Sequence, residues 1–259
     1  MMGSLLAQLD LSALDWVLAL LCGLMVGFAK TGVGGLGIVV VPLMAMVFPA
    51  QRSPGILLPM LVVGDVVAIT YYRRHAQWRH LLRPMPWAVA GVLLAFAVIK
   101  FCPWTDQAYS RLIGAIVLVC VLLRFWQSRG EDSCTESNRE FPFWAAALVG
   151  VSAGFATMVA NAAGPIWMIY LLAIGLPKFE LVGTGAWFFF AVNLFKIPFQ
   201  WNLGNITPAS LSFNLCVVPA ILLGTVLGIF VLRKIDQKLF KSVILWLAAA
   251  AAAKLLLWS

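Results

Sequence analysis

The chain has 259 residues, of which 63% are hydrophobic and only 11% are charged, and its formal net charge is +8. Soluble globular domains are about 45–50% apolar and about 25% charged, so the composition excludes a soluble enzyme, a secreted disulfide scaffold and a disordered protein. Because one membrane-crossing helix needs roughly 20 apolar residues, the sequence predicts an all-α polytopic membrane protein with roughly eight to ten membrane segments.

Apolar runs follow one another along most of the chain, at 11–29, 32–48, 54–70, 84–101, 109–126, 142–159, 162–175, 181–199, 208–232 and 242–258. Two pairs of runs, within 11–48 and 142–175, are separated by glycines or polar residues and not by a hydrophilic loop. Each pair is either two full crossings or a re-entrant hairpin that turns back midway. Irregular backbone is tolerated at membrane depth only where it is buried in protein or lines a wet cavity.

The longest polar stretch, 127–140, lies near the middle of the chain. We interpret it as a cytoplasmic linker between a first repeat, 1–126, and a second repeat, 141–259. Similar features occur in the same order in both halves: GxxxGFA from Gly23 and from Gly150, the spacing Gly55 to Asp65 and Gly183 to Asn193, and the spacing Pro86 to Gly91 and Pro219 to Gly224. Several matches in one order indicate an internal repeat.

The positive charge is concentrated in short loops, where it sets membrane orientation and does not indicate nucleic-acid binding. Loop 71–83 is rich in arginine, whereas its counterpart in the second half, 200–207, has no charged residue. Conversely, loop 233–241 is basic and its counterpart, 100–111, is nearly balanced. Equivalent loops are therefore expected on opposite sides of the membrane, with both termini outside. This pattern predicts two inverted-topology repeats, an architecture of secondary transporters that bind ligands near the bilayer midplane.

The two interruptions are the candidate binding site. Half-helix N-termini offer free N–H groups and a positive dipole end, which suit an anion. Glycines also let the backbone approach a ligand closely. The predicted substrate-binding residues are Lys30, Thr31, Gly32, Gly34 and Gly35 in the first interruption and Thr157, Asn161 and Gly164 in the second. These groups are rich in donors and poor in acceptors, so we expect a small anionic substrate.

Each of these groups has an alternative role. The GxxxG glycines are typical of helix packing. If 11–29 crosses the membrane fully, Lys30 reaches the cytoplasmic interface instead of a ligand. Asp65 either carries a coupling proton or makes a structural hydrogen bond or salt bridge. Asn193 and Lys196 are further coupling or structural polar groups, and we expect Lys196 to extend toward the outer interface.

Nothing in the sequence predicts an enzyme, a metal site or a cofactor. The five cysteines are scattered without a C-x-x-C pair. Both histidines, His75 and His80, lie in the arginine-rich loop, and the apolar runs contain no paired carboxylates and no H-E-x-x-H. Besides the substrate, the lipid bilayer is the expected partner. The sequence leaves both a monomer and a homodimer as alternatives.

The segments GxxxGFAKTGVGGLGIVVVP and GxxxGFATMVANAAGP, together with a GD helix followed by YYRRH, resemble the TauE/SafE sulfite-exporter family over essentially the whole chain. The resemblance implies a transporter of the bacterial cytoplasmic (inner) membrane that moves sulfite, sulfonates or other small sulfur compounds outward. The family pattern has a bare glycine run before the proline, whereas this chain has Lys30 and Thr31 ahead of it. That departure indicates a subgroup whose substrate need not be sulfite.

We therefore expect export of sulfite or a related sulfur-containing anion by alternating access between the two repeats. One alternative is transport of a neutral or organic sulfur compound, with Lys30 neutralised by Asp65, or of another small organic anion. Two further alternatives are a non-transport membrane scaffold and an intramembrane enzyme.

Overall fold

The computed structural model describes residues 2–7, 9–31, 37–130 and 142–231. All regular structure in these residues is helical. The helices are α1 (Met2–Ala7), α2 (Ala13–Thr31), α3 (Gly37–Val47), α4 (Ser53–Tyr72), α5 (Trp78–Leu82), α6 (Met85–Phe101), α7 (Asp106–Gly130), α8 (Phe143–Ala160), α9 (Gly164–Ile174), α10 (Lys178–Asn202) and α11 (Pro208–Val231), with a short 3-10 helix at Arg73–His75.

Within the described residues, seven helical segments are long and apolar enough to cross a membrane. They are α2, α4 with the 3-10 helix, the joined segment of α5 and α6, α7, α8, α10 and α11. The prediction of an all-α polytopic membrane protein is confirmed. The expected last segment, 242–258, lies outside the described residues.

The two interrupted segments are asymmetric hairpins. In each, a long helix (α2 or α8) is followed by a short helix of 11 residues (α3 or α9). At 1.5 Å per residue, 11 residues span roughly 16 Å, about half of the hydrocarbon core. The first limb of each hairpin is therefore long enough to cross the bilayer, whereas the second is long enough for only half of it.

Close packing of glycines joins the two halves of the chain. A Cβ atom at Gly27 on α2 would overlap the Ile221 carbonyl of α11, and one at Gly154 on α8 would overlap the Ala88 carbonyl of α6. Gly27 and Gly154 belong to the two predicted GxxxG repeats, and the helix that carries each of them packs on a helix of the other half. Here the glycines serve helix packing, which is a common role of small residues in membranes.

The antiparallel pair of α4 and α10 lies between these contacts. Near one end of the pair, the backbone N–H of Gln77 donates to Thr184 Oγ1 at 2.9 Å. At the other end, Gly55 at the start of α4 lies against Asn205, just after α10. The arginine-rich loop 71–83 and the uncharged loop 200–207 are therefore at opposite ends of this pair.

One boundary differs from its expected position. Helix α7 continues to Gly130, so the first residues of the expected linker, 127–140, are helical. Residues 131–141 lie outside the described part of the chain. The stretch begins with the polar residues Gln127, Ser128 and Arg129, and polarity alone did not indicate where the helix ends.

Candidate functional site

A cavity of about 140 Å³ lies between the two halves. Both halves line it, through α2, α3 and α4 of the first and α8, α9 and α10 of the second. Four side chains in the wall carry strongly polar groups, namely Lys30, Thr157, Asn161 and Asn193. Most of the remaining wall is apolar. The cavity is therefore a largely apolar chamber with one polar region.

Lys30 lies in this polar region of the cavity wall. Its ammonium group is 2.6 Å from Asp65 Oδ1, and its side chain is only 14% exposed. The same Nζ lies 4.8 Å from the centre of the Phe189 ring, a cation–π contact. Gly64 gives Lys30 room, since a Cβ there would come 3.1 Å from Lys30 Cγ.

Asp65 is fully buried and joins the two halves through α4 and α10. Besides the Lys30 ion pair, its other carboxylate oxygen accepts a hydrogen bond from Asn193 Nδ2 at 2.7 Å. The structural alternative for Asp65, a salt bridge to a lysine, is thus present. Asp65 and Asn193 are the residues that the predicted sequence repeat pairs with each other.

The expectation that Lys196 extends toward the outer interface is wrong. Its side chain is fully buried, and its Nζ donates to Asn161 Oδ1 at 2.6 Å and to Asn193 Oδ1 at 3.1 Å. Two further bonds of 2.9 Å reach the hydroxyl and the carbonyl oxygen of Thr157. These acceptors on α8 and α10 hold the ammonium inside the protein, and the apolar run around Lys196 gave no sign of them.

The oxygen atoms around Lys196 suit an ammonium group better than a neutral amine. The Thr157 carbonyl and the amide oxygens of Asn161 and Asn193 can accept hydrogen bonds but cannot donate them. An ammonium group has three N–H donors for these three acceptors, whereas a neutral amine has two and would face the third oxygen with its lone pair. The arrangement therefore favours the charged form.

Two lysines and one aspartate thus meet in this part of the described structure, with a formal charge of +1. Lys30 lines the cavity, and Lys196 lies directly behind the wall residues Thr157, Asn161 and Asn193. A net charge inside a membrane protein is costly unless a partner compensates it. The site is therefore electrostatically suited to an anion.

Asn161 is positioned by the way α8 ends. It adopts a left-handed conformation with φ of 50°, which Asn tolerates better than most residues, and this terminates the helix. Its Nδ2 donates to the Pro54 carbonyl at the start of α4, at 2.9 Å. With its oxygen on Lys196 and its amide on Pro54, Asn161 has a fixed orientation in the cavity wall.

The remaining predicted residues fall into three groups. Thr157 and Gly164 line the cavity with Lys30 and Asn161. Thr31 is fully buried and its hydroxyl lies 2.9 Å from the Thr225 carbonyl and 3.2 Å from that of Gly27, so it serves α2–α11 packing. The three glycines at 32, 34 and 35 lie outside the described residues.

Sequence reasoning did not single out the aromatic part of the wall. Phe189 and Trp167 both line the cavity. The abundant tryptophans are typical of interface belts, so composition gave no reason to single out Trp167 as a residue of the site. A usable signal existed, because Trp167 follows Gly164 and Pro165 by less than one helical turn and so must lie near the interruption.

The fold and the cavity define a multi-pass membrane protein of the transporter class. A family profile described as Sulfite exporter TauE/SafE matches residues 19–255. The chain therefore belongs to the sulfite exporter TauE/SafE family, a family of membrane transporters for sulfite or related anions, and the resemblance noted in the sequence is confirmed. Neither the curated proteins nor the solved structures contain a significant match to the chain.

Proposed function

We propose that this protein exports sulfite or a related small sulfur-containing anion of the sulfonate class. Transport proceeds by alternating access between two inverted repeats in the bacterial inner membrane, with both termini outside. The substrate occupies the cavity beside Lys30, Thr157 and Asn161, and Gly164 lies where the second interruption ends.

The observation that carries this proposal is the uncompensated positive charge at the cavity. Lys30 donates toward Asp65, which leaves N–H groups of the same ammonium available to a ligand. Lys196, held behind the wall, adds a second charge without a carboxylate of its own. An anion with several acceptor oxygens complements both features.

Alternating access between two inverted repeats is supported by matching contacts in the two halves. In addition to the paired glycine contacts between the halves, the Tyr72 hydroxyl donates to the Thr31 carbonyl at 2.9 Å within the first half, and Gln200 Nε2 donates to the Met158 carbonyl at 3.2 Å within the second. Tyr72 and Gln200 follow Asp65 and Asn193 at the same spacing. Such equivalence is expected of repeats related by an axis in the membrane plane, with the substrate near that axis.

Export of an anion requires no separate energy source. In a cell with a negative interior, moving one negative charge outward is favourable by about 2.3 kcal/mol per 100 mV. Uniport is therefore sufficient, and net export does not require Asp65 to carry a coupling proton.

The test is sulfite flux in proteoliposomes containing the purified protein. Lys30→Ala is expected to lower the flux roughly tenfold or more, because a hydrogen bond to a charged group contributes about 1.5–3 kcal/mol. Lys100→Ala is the matched control, since Lys100 is an exposed lysine that donates to Asn202 at the end of α10. Equal flux for wild type, Lys30→Ala and Lys100→Ala would refute the site, and no flux above empty liposomes would refute sulfite transport.

The ion pair between Lys30 and Asp65 favours a second candidate, transport of a neutral sulfur compound. In that case Asp65 neutralises Lys30, and the substrate is bound mainly by the apolar wall. Competition separates the candidates: the anion proposal expects methanesulfonate, but not the neutral dimethyl sulfone, to inhibit sulfite flux. The opposite order of inhibition would favour the neutral substrate.

A further inference from the structure

Trp167 lies on the first turn of α9, next to the end of the second interruption. Its side chain is only 1% exposed, yet it lines the cavity. The indole ring stacks on Phe188, with ring centres 3.6 Å apart and planes within 6° of parallel. This stacking fixes the ring in one orientation.

The indole N–H of Trp167 has no hydrogen-bond partner among the described residues. Buried tryptophans usually find an acceptor for this group, because an unpaired donor away from water is unfavourable. The Nε1 edge lies next to Gly185: a Cβ built on Gly185 would be 3.6 Å from Nε1. Since Trp167 and Gly185 both line the cavity, the unpaired donor belongs to a residue of the cavity wall.

A second set of donors reaches the same wall. Gly164 begins α9, so its backbone N–H has no partner within the helix. A Cβ on Gly164 would meet no atom within 4 Å, so the backbone borders open space in the cavity. The helix N-terminus and the Trp167 indole therefore offer donors from the same turn of α9.

We propose that the Trp167 indole N–H binds an oxygen atom of the transported anion and is a specificity-determining group of the site. This inference rests on the proposed function. An indole N–H can donate but cannot accept, so it selects a ligand atom with a free lone pair, as in sulfite or a sulfonate. Together with Lys30, which also lines the cavity, Trp167 gives the site two side-chain donors for an oxyanion.

The first variant is Trp167→Phe, which keeps an aromatic ring against Phe188 and removes the N–H. We expect the dissociation constant for sulfite, measured by isothermal titration on the purified full chain, and the KM for flux to rise roughly tenfold or more. Trp187→Phe is the matched control. Its Nε1 is also buried and unpaired within the described structure, but Trp187 is not among the residues that line the cavity.

The second variant, Gly185→Ala, leaves the tryptophan in place. Its Cβ would make ordinary van der Waals contacts of 3.6–4.0 Å with Trp167 and Leu171, so the protein should fold, and the new methyl group would shield Nε1 from the ligand. We expect weaker sulfite binding again. In the double variant, the Gly185→Ala effect should largely disappear, because the donor that it shields is no longer present.

The outcomes separate this inference from the proposed function. If wild type binds and transports sulfite and Trp167→Phe behaves like Trp187→Phe, the role of Trp167 is refuted while sulfite transport stands. If Trp167→Phe does not fold, unchanged sulfite affinity in Gly185→Ala refutes it instead. If wild type neither binds nor transports sulfite or methanesulfonate, the proposed function fails first.

Discussion

Charged side chains inside a membrane are costly, and here three of them meet where their positions can offset one another. Lys30, Asp65 and Lys196 were recognisable in the sequence as rare ionisable residues within apolar runs. The directions in which these side chains extend were not recognisable, because they depend on acceptors supplied by other helices. Lys196 is held by Thr157 on α8 and by Asn161 just after that helix, so its position along α10, taken from the sequence alone, suggested the interface.

Neutralising Asp65 tests how Lys30 is shared between the protein and its ligand. In Asp65→Asn, an amide can still bond to Asn193, but Lys30 loses its carboxylate partner. We expect the free energy of unfolding to fall by roughly 3 kcal/mol, as for other broken buried ion pairs. Sulfite should then bind about tenfold more tightly, because no internal anion competes for Lys30.

Thermal unfolding in detergent, with and without sulfite, measures both effects. Sulfite should raise the melting temperature of Asp65→Asn by more than that of wild type. Asp15 accepts a hydrogen bond from the hydroxyl of Ser12 near the start of α2. The control variant is Asp15→Asn, which should respond to sulfite as wild type does. A smaller sulfite-induced shift in Asp65→Asn than in wild type would contradict an anion site at Lys30.

At the scale of helices, two structural features shape the site: close packing at glycines and the shortness of two helices. Glycines bring α2 against α11 and α6 against α8, and the short helices α3 and α9 leave room for a cavity at their ends. The repeated GxxxGFA motif predicted close packing and the position of both interruptions. It could not predict that α3 is only 11 residues long, because the apolar run 32–48 contains no charge or loop that marks where a helix begins.

Equivalent glycines should be equally sensitive to substitution. Gly27→Ala and Gly154→Ala each place a Cβ against a backbone carbonyl of the facing helix. Overpacking of this kind costs about 1–3 kcal/mol, so both variants should lower the melting temperature in detergent by similar amounts.

Gly37→Ala provides the comparison, because a Cβ at Gly37 would meet no atom within 4 Å. Its melting temperature should stay near that of wild type. Strong destabilisation by Gly27→Ala together with a neutral effect of Gly154→Ala would argue against equivalent roles for the two helix pairs.

For the whole molecule, charge distribution predicts the orientation and repetition predicts the architecture. The loop that contains Arg73 and Arg74 lies at the end of α4, whereas its uncharged counterpart after Asn202 lies at the end of the antiparallel α10. Composition predicted the membrane class without reference to any motif. The cavity itself was not predictable, since it is made by residues from six helices whose faces only tertiary packing defines.

Cysteine labelling tests the inverted arrangement in intact cells. In a background without native cysteines, Arg74→Cys should react with a membrane-impermeant maleimide only after the cells are opened, because positive loops face the cytoplasm. Asn202→Cys should react in intact cells. Both positions are exposed, so accessibility within the protein does not limit the reaction. Labelling of the two positions from the same side would contradict the inverted repeats.

The central claim is that a small oxyanion binds between the two halves beside Lys30. Selenite has the shape and charge of sulfite, and its selenium atom can be located in a crystal by anomalous scattering. The account predicts one anomalous peak in the cavity, within hydrogen-bonding reach of Lys30 and the Trp167 indole N–H, and loss of that peak in Lys30→Ala. A cavity without selenium in crystals soaked with selenite, or a peak at another place that persists in Lys30→Ala, would contradict it.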